Sequence, residues 1–271
     1  SGRNPITFDN WNNSKILAYW KYDDATKPGK DSHSWLGRLN NIRTALQGQQ
    51  GDRRLRLGIA GGEWKKMMAD ATARTRFASE VKKIIEQYDF DGVDFDFEWP
   101  ANASEYNNYS ATVIQMRSTL GKYVYFTASL HPVSFKISPE AIDALDFISY
   151  QCYGPAVMRF PYEQFVKDGE AAVAYGIPKN KLVMGVPFYG STGSLIAAYC
   201  DFVNDGLATT NEDTYTFNSI ETIRKKARYV CEEDYAGIMS WDLATDIDIT
   251  NNKSLLKVIK EEFEYYANPT E

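Results

Sequence analysis

The amino-acid sequence predicts an α/β fold of the (β/α)8-barrel class, also called the TIM barrel. Apolar runs of strand length alternate with helical segments along most of the 271 residues, which predicts a parallel sheet covered by helices. Seven strand–helix units can be counted, and the length suits a barrel of eight. The predicted strands end near Glu98, Tyr153, Tyr189 and Trp241, where such barrels place their working site. We therefore expect a single catalytic domain over residues 1–271.

The first three units fill the N-terminal half of the chain. Their strands are predicted at 16–20, 55–62 and 91–100, and their helices at 34–47, 70–88 and 106–120. Apolar residues recur at helical spacing in these helices, and the strand at 55–62 ends in a glycine turn. Because the count is one unit short of eight, we expect residues 5–8 to form a degenerate first strand, or the first strand to be missing.

The last four units repeat the same order. Their strands are predicted at 123–130, 147–154, 181–190 and 237–242, and their helices at 139–145, 162–175, 218–230 and 253–266. Short apolar runs bounded by turn residues are typical of strands buried on both faces of a parallel sheet. Loops are predicted at 21–32, 133–138 and 191–217.

The acidic strand, residues 91–100, alternates carboxylates with large apolar residues. Successive side chains of a strand point to opposite faces, so Asp94, Asp96 and Glu98 share one face while valine and phenylalanine residues fill the other. The apolar face should be packed and the acidic face should line an enclosed polar space. Carboxyl groups this close raise one another's pKa, so at least one of them should keep a proton near neutral pH. Such a group can act as a general acid.

Two other interpretations of the acidic strand remain open. Acidic edge strands exposed to solvent are common, although they seldom alternate with aromatic residues. Asp and Glu side chains can also bind calcium or magnesium, but a calcium-binding loop needs turn residues and a central glycine, which Phe95 and Phe97 do not supply. We therefore expect neither a metal ion nor another cofactor.

Composition and charge limit the classes of partner. The net charge of −6 and the pI near 5.2 argue against a nucleic-acid partner, which requires a positive surface. No run approaches the roughly 18 apolar residues of a membrane span, and the N-terminus lacks the basic and apolar pattern of a signal peptide. Cys152, Cys200 and Cys231 are too few for a disulfide framework, so we expect buried free thiols.

The acidic strand closely resembles the Asp-x-x-Asp-x-Asp-x-Glu signature of glycoside hydrolase family 18, which contains many chitinases and endo-β-N-acetylglucosaminidases. Residues 181–190 resemble the seventh strand of that family, and residues 237–242 resemble its eighth strand, which ends in the Trp that floors the sugar site. The resemblance covers roughly residues 15–242. It implies a (β/α)8 barrel in which residues 15–20 are the second strand.

The resemblance also implies a substrate-assisted mechanism and a role for each matching residue. Glu98 would protonate the glycosidic oxygen while the 2-acetamido oxygen of the sugar attacks the anomeric carbon to give an oxazolinium ion. Asp96 would orient the acetamido N–H, Asp94 would share a proton with Asp96, and Tyr153 would hydrogen-bond the acetamido oxygen. Water would then open the ring with anomeric retention. The remaining candidates, all expected to bind substrate, are Trp241, Tyr189, Gln151 and Trp99.

Three departures from the family pattern bear on rate and substrate choice. Many chitinases have Met-x-Tyr-Asp where this chain has residues 151–154, so Gly154 replaces the usual Asp. The Ser of the family's Ser-x-Gly-Gly motif is absent from residues 58–62. The connection between 189 and 237 is too short for the α+β insertion of many exo-acting members, so we expect a shallower, endo-type groove.

The favoured function is cleavage of β-1,4-linked N-acetylglucosamine in chitin or chitooligosaccharides. An endo-β-N-acetylglucosaminidase that cuts the chitobiose core of N-glycans is the first alternative, and a non-hydrolytic, lectin-like binder is the second. Because Glu98 is present, the lectin-like role is disfavoured. We expect a monomer whose partner is an N-acetylglucosamine-containing saccharide, located outside the cytoplasm as a secreted, periplasmic or cell-surface protein.

Overall fold

The structure, a computed structural model, describes residues 35–47, 53–61, 64–205 and 215–267. The strands predicted at 5–8 and 16–20 and the loop at 21–32 lie outside these residues. The chain divides into two compact units. Unit one runs to Thr127 and includes Asp143–Leu145, and unit two contains Ala128–Ile142 and the chain from Asp146 onward. The prediction of one catalytic domain stays a prediction.

The described residues form nine helices and eight strands, which alternate along much of the chain. The helices are α1 (Trp35–Leu46), α2 (Lys65–Ala69), α3 (Ala71–Tyr88), α4 (Ala103–Leu120), α5 (Pro139–Ala144), α6 (Tyr162–Tyr175), α7 (Tyr199–Asn204), α8 (Ile220–Glu232) and α9 (Leu255–Ala267). The strands are β1 (Arg56–Gly61), β2 (Gly92–Phe97), β3 (Tyr125–Leu130), β4 (Phe147–Tyr150), β5 (Leu182–Pro187), β6 (Tyr189–Ser191), β7 (Ile196–Ala198) and β8 (Gly237–Trp241). Short 3-10 turns occur at Val157–Arg159, Lys179–Lys181 and Leu243–Thr245.

Unit one contains β1, β2 and the first half of β3, in that order across the sheet. β1 and β2 are parallel, with Gly58 opposite Asp94. α3 begins where the Asp70 side chain accepts a hydrogen bond from the Ala73 N–H, and α4 begins similarly at Asn102, because both side chains satisfy N–H groups that lack partners within the helix. These caps fix where the two helices begin; α3 precedes the acidic strand in the chain and α4 follows it.

The core of unit one is aromatic and lies behind β2. The ring of Phe95 stacks on Tyr109 of α4 at a centroid distance of 5.3 Å and lies 5.9 Å from the ring of Phe77 of α3. Gly92 is required by close packing, since a Cβ there would lie 1.8 Å from the carbonyl oxygen of Tyr125 in β3. The glycine of the acidic strand therefore lets β2 and β3 approach each other.

Unit two contains the second half of β3, then β4, β5 and β8, in that order across the sheet. β4 and β5 are parallel, and so are β5 and β8, where Pro187 lies opposite Trp241. α8 packs against α6 and α9. No helix within the described ranges is long and apolar enough to cross a membrane.

Two parts of unit two differ from the sequence prediction. β4 ends at Tyr150 instead of residue 154, because the Cys152 N–H bonds to the Tyr150 carbonyl at 2.8 Å and the chain turns. The predicted loop at 191–217 contains β7, which pairs antiparallel with β6, and the short helix α7. Strands of three residues are too short to produce a readable alternation, so the sequence gives little sign of this hairpin.

All three cysteines are free. Cys152 is buried as predicted, whereas Cys200 and Cys231 are partly exposed, so the expectation of buried thiols is wrong for those two. Both lie on amphipathic helices, where one face meets solvent.

Candidate active site

The two faces of β2 differ in burial as the alternation predicts. Val93, Phe95 and Phe97 are completely buried. Asp94 and Asp96 are half-buried, and Glu98, one residue beyond the strand, is exposed. The three carboxylates therefore follow one face of unit one from a partly covered strand interior to an open strand end.

Asp94 is held by side chains from the strands on either side of β2. Its Oδ1 accepts a hydrogen bond from the Thr127 hydroxyl of β3 and lies 3.5 Å from Nη1 of Arg56 in β1. The same Arg56 nitrogen donates to the Thr127 hydroxyl. Gly58, opposite Asp94, leaves this face open, because an added Cβ would meet no atom within 4 Å.

Sequence reasoning missed Arg56 and Thr127. The available signal was a charged residue inside the apolar run 55–59, since a cation in such a strand usually has a fixed partner. Thr127 gave no signal, because threonine is common in strands.

Behind β2, Tyr109 supports the acidic strand without reaching solvent. Its hydroxyl donates to the Phe95 carbonyl at 3.1 Å, and the residue is fully buried. Burial, together with the nearby charges of Asp94 and Asp96, raises the pKa of Tyr109 well above its usual value. Tyr109 is therefore a neutral hydrogen-bond donor to the backbone of β2.

Beyond β2, the chain is tied back to β1. The Glu98 N–H donates to the Gly61 carbonyl at 3.3 Å, which fixes the backbone that carries Glu98. Trp99 is half-buried. The peptide bonds Glu98–Trp99, Gly154–Pro155 and Trp241–Asp242 are cis.

In unit two, the structure brings Tyr153 and Tyr189 into contact. Their rings are perpendicular at a centroid distance of 6.3 Å, and Tyr189 also packs edge-on against Phe160 at 5.5 Å. The Tyr153 hydroxyl donates to the Met239 sulfur at 3.5 Å. Burial raises the pKa of Tyr189 to about 12, so its phenol remains a hydrogen-bond donor at neutral pH. We call Tyr153, Phe160, Tyr189 and Met239 the aromatic cluster.

Gly154, the position where the resemblance led us to expect an Asp, lies against this cluster. A Cβ at Gly154 would lie 2.6 Å from the Tyr189 hydroxyl oxygen, closer than atoms can pack. The residue also has a φ of +29°, a conformation that favours glycine. Any side chain at this position would require Tyr189 to move.

The other two candidates of unit two differ in exposure. Gln151 is buried, and its N–H donates to the Leu130 carbonyl at 2.8 Å. Trp241 is 58% exposed at the end of β8, with its carbonyl bound by the Phe188 N–H at 2.8 Å. The end of β8 thus presents a large apolar side chain to solvent.

A separate surface pocket of about 310 Å³ lies on the helical side of unit two, and none of the predicted site residues lines it. Its lining residues are Glu170, Val173, Ala174, Lys179, Tyr229, Glu233 and Tyr235. Over the described residues, no group of three or more His, Cys, Asp or Glu side chains is placed to hold a metal ion.

Comparison with known proteins gives one family throughout. A sequence model described as Glycosyl hydrolases family 18 matches residues 6–246. A probable chitinase 2 of Drosophila melanogaster is 26% identical over 189 residues, which are 56% of this chain and 37% of that protein. The chain thus spans well under half of this relative's length.

Two solved structures are similar over most of the chain. A chitinase from Bacteroides thetaiotaomicron has a TM-score of 0.73 at 21% identity, covering 85% of this chain and 82% of its own. The GH18 chitinase ChiB from the chitin utilization locus of Flavobacterium johnsoniae has a TM-score of 0.73 at 25% identity, covering 83% and 79%. These likenesses confirm the predicted (β/α)8-barrel class.

Proposed function

The chain belongs to glycosyl hydrolase family 18, and from this premise we propose that it cleaves β-1,4-linked N-acetylglucosamine in chitin or chitooligosaccharides. One observation carries the proposal: of the three carboxylates at positions 94, 96 and 98, Glu98 alone is exposed. An acid that protonates the bridging oxygen of a polymer must be reachable from solvent, whereas carboxylates that only orient a group on the sugar can be partly covered.

In the proposed reaction, Glu98 gives its proton to the glycosidic oxygen as the bond to the anomeric carbon breaks. The 2-acetamido oxygen of the same sugar forms a bond to that carbon, so the positive charge moves into an oxazolinium ring. Glu98, now a carboxylate, takes a proton from water, whose oxygen opens the ring. Two displacements at one carbon retain the anomeric configuration.

The other carboxylates act on the acetamido group. Asp96 orients its N–H and offsets the positive charge of the oxazolinium ring, and Asp94 is the partner of Asp96. The contacts of Asp94 with Thr127 and Arg56 support a fixed orientation for this partner. A fixed carboxylate can stabilise a developing charge without reorganising, which is the main source of electrostatic catalysis.

Four aromatic side chains and one glutamine supply the sugar contacts of the proposal. Tyr153 hydrogen-bonds the acetamido oxygen, and Trp241 stacks on a sugar ring. The 58% exposure of Trp241 supports this role, since the apolar face of a sugar needs an uncovered ring. Tyr189, Gln151 and Trp99 complete the proposed substrate contacts.

The test is the variant Glu98→Gln, assayed on chitin oligosaccharides. We expect kcat to fall by at least about 100-fold, because the amide cannot give a proton, with binding measured by calorimetry unchanged. Glu170→Gln, an exposed carboxylate on α6, is the matched control and should keep wild-type turnover. Unchanged hydrolysis by Glu98→Gln would show that the acid is another group.

Product analysis separates the candidate substrates. Mass spectrometry of the products from chitin oligomers and from a high-mannose glycoprotein should show cleavage of the chitin oligomers. Exclusive release of the N-glycan would instead assign the endo-β-N-acetylglucosaminidase function.

We also propose that the protein works outside the cytoplasm as a monomer. An insoluble polymer such as chitin cannot enter a cell, which supports the location. Light scattering after gel filtration should give a mass near 30.8 kDa. Twice that mass would contradict the monomer.

A further inference from the structure

His131 directly follows β3 and is buried in unit two, with 2% of its surface exposed. Both ring nitrogens face backbone groups. Nδ1 lies 3.2 Å from the N–H nitrogen of Val133, while Nε2 lies 2.6 Å from the Gly154 carbonyl oxygen and 3.1 Å from that of Tyr153. His131 therefore links the end of β3 to the segment that carries Tyr153.

These partners allow one tautomer only. A backbone N–H can only donate, so Nδ1 must be an acceptor without a proton. Carbonyl oxygens can only accept, so Nε2 must carry the proton and donate it. The ring is thus a neutral imidazole with its hydrogen on Nε2, shared between two successive carbonyls.

The charge state required by this geometry agrees with the surroundings. Burial lowers the pKa of His131, and the charge of Arg159 acts in the same direction, while the two carbonyl contacts and Asp168 oppose them. A protonated ring would place a hydrogen on Nδ1 against the Val133 N–H. The neutral form is therefore the one that fits.

The two carbonyls bound by His131 belong to Tyr153 and to the next residue. β4 ends at Tyr150, so Tyr153 lies beyond its paired strand residues. The following peptide joins Gly154 to Pro155, whose ring nitrogen has no hydrogen to donate. The backbone around Tyr153 is thus held by a side chain where the sheet has ended.

We propose that His131 is a positioning residue for Tyr153: its Nε2–H fixes the backbone that sets the direction of the Tyr153 hydroxyl. The inference rests on the proposed function, in which that hydroxyl hydrogen-bonds the acetamido oxygen that attacks the anomeric carbon. A misplacement of about 1 Å in such a group can cost on the order of 100-fold in rate. His131 itself touches no substrate.

The kinetic test compares two substitutions at His131. His131→Gln keeps an N–H donor at the same number of bonds from the backbone, whereas His131→Leu fills the space without a donor. We expect His131→Leu to lower kcat on chitin oligosaccharides by about tenfold or more with KM changed less than about twofold, and His131→Gln to recover most of the loss. Equal losses in both variants, or no loss in His131→Leu, would overturn the proposal.

A double-mutant cycle with Tyr153→Phe shows whether His131 acts through Tyr153. If it does, the double variant His131→Leu/Tyr153→Phe should be no slower than Tyr153→Phe alone. Independent action would instead multiply the two losses and overturn the proposal. Thermal unfolding of each variant identifies any that fails to fold.

The tautomer can be measured in the wild-type protein without any activity. The chain has two histidines, so nitrogen-15 NMR of the rings can be assigned by comparison with His131→Gln. We expect Nε2 of His131 to carry the proton at pH 7; a protonated Nδ1 would overturn the proposal. If the wild-type protein leaves chitin oligosaccharides intact, the proposed function fails, and this spectrum still decides the geometry of His131.

Discussion

The hydroxyl of Tyr189 decides which residue can stand at position 154. Without that oxygen, the nearest atom of Tyr189 to an added Cβ would be the ring carbon at 3.9 Å, an ordinary contact. The contact at 2.6 Å therefore comes from one oxygen. The Tyr189 hydroxyl therefore leaves no room for a side chain at position 154 in this arrangement.

We predict that Gly154→Ala lowers the free energy of unfolding by about 2 kcal/mol, because the methyl group meets the Tyr189 hydroxyl and φ is unfavourable. Adding Tyr189→Phe should restore part of the loss, since it removes the clashing oxygen. Urea unfolding of both single variants and the double variant measures the coupling. If the double variant is as unstable as Gly154→Ala, the whole loss of unfolding free energy comes from the unfavourable φ.

The contacts of Asp94 with Thr127 and Arg56 lead to a second prediction. Arg56→Met removes a donor to Asp94 Oδ1 and should lower kcat on chitin oligosaccharides by roughly tenfold, because the proposed partner of Asp96 becomes less fixed. Arg56→Lys should lose less. Arg74→Met, whose guanidinium binds the Met68 carbonyl, is the control. If Arg56→Met has the kcat of the wild type, Arg56 plays no part in the mechanism.

At the scale of elements, α8 holds the aromatic cluster in place through a buried lysine. Lys226 is completely buried, and its Nζ donates to the Phe160 carbonyl and to Asn218 Oδ1, both at 2.7 Å. Phe160 in turn packs against Tyr189. Helix α8 is thus tied to the backbone beneath a proposed substrate-binding residue.

This arrangement predicts a particular pH dependence of stability. Burial lowers the pKa of Lys226 to about 7, against about 10.4 in an unfolded chain. Between these values the unfolded chain binds a proton that the folded protein does not, so stability should rise with pH. Relative to Lys226→Met, the wild type should gain roughly 1.5 kcal/mol between pH 7 and pH 8.5, measured by urea unfolding. A constant difference would show that Lys226 stays charged when folded.

The sequence predicts strands and faces well, because both follow from local alternation. The complete burial of Phe95 and Phe97 and the lower burial of Asp94 and Asp96 follow directly from the period of two. The partners of Asp94 and the contact between Gly154 and Tyr189 could not be predicted. They depend on which strands are neighbours and on how far a side chain reaches across the sheet, which are tertiary properties.

At the scale of the whole molecule, the net charge of the protein is compatible with the proposed substrate. A net charge of −6 suits a neutral polymer better than a polyanion, and the proposed mechanism takes its nucleophile from the substrate itself. The reactivity of the protein should then depend on the acetamido group of the sugar. Oligosaccharides of β-1,4-linked glucose or of fully deacetylated glucosamine, which lack that group, should not be cleaved.

The stereochemistry of the product tests the mechanism most directly. In the two-carboxylate scheme, direct attack by water gives inversion, whereas substrate assistance gives retention. Proton NMR of fresh products from chitin oligosaccharides should therefore show the β-anomer before mutarotation. Initial release of the α-anomer would mean that water attacks directly, with Asp96 as its base.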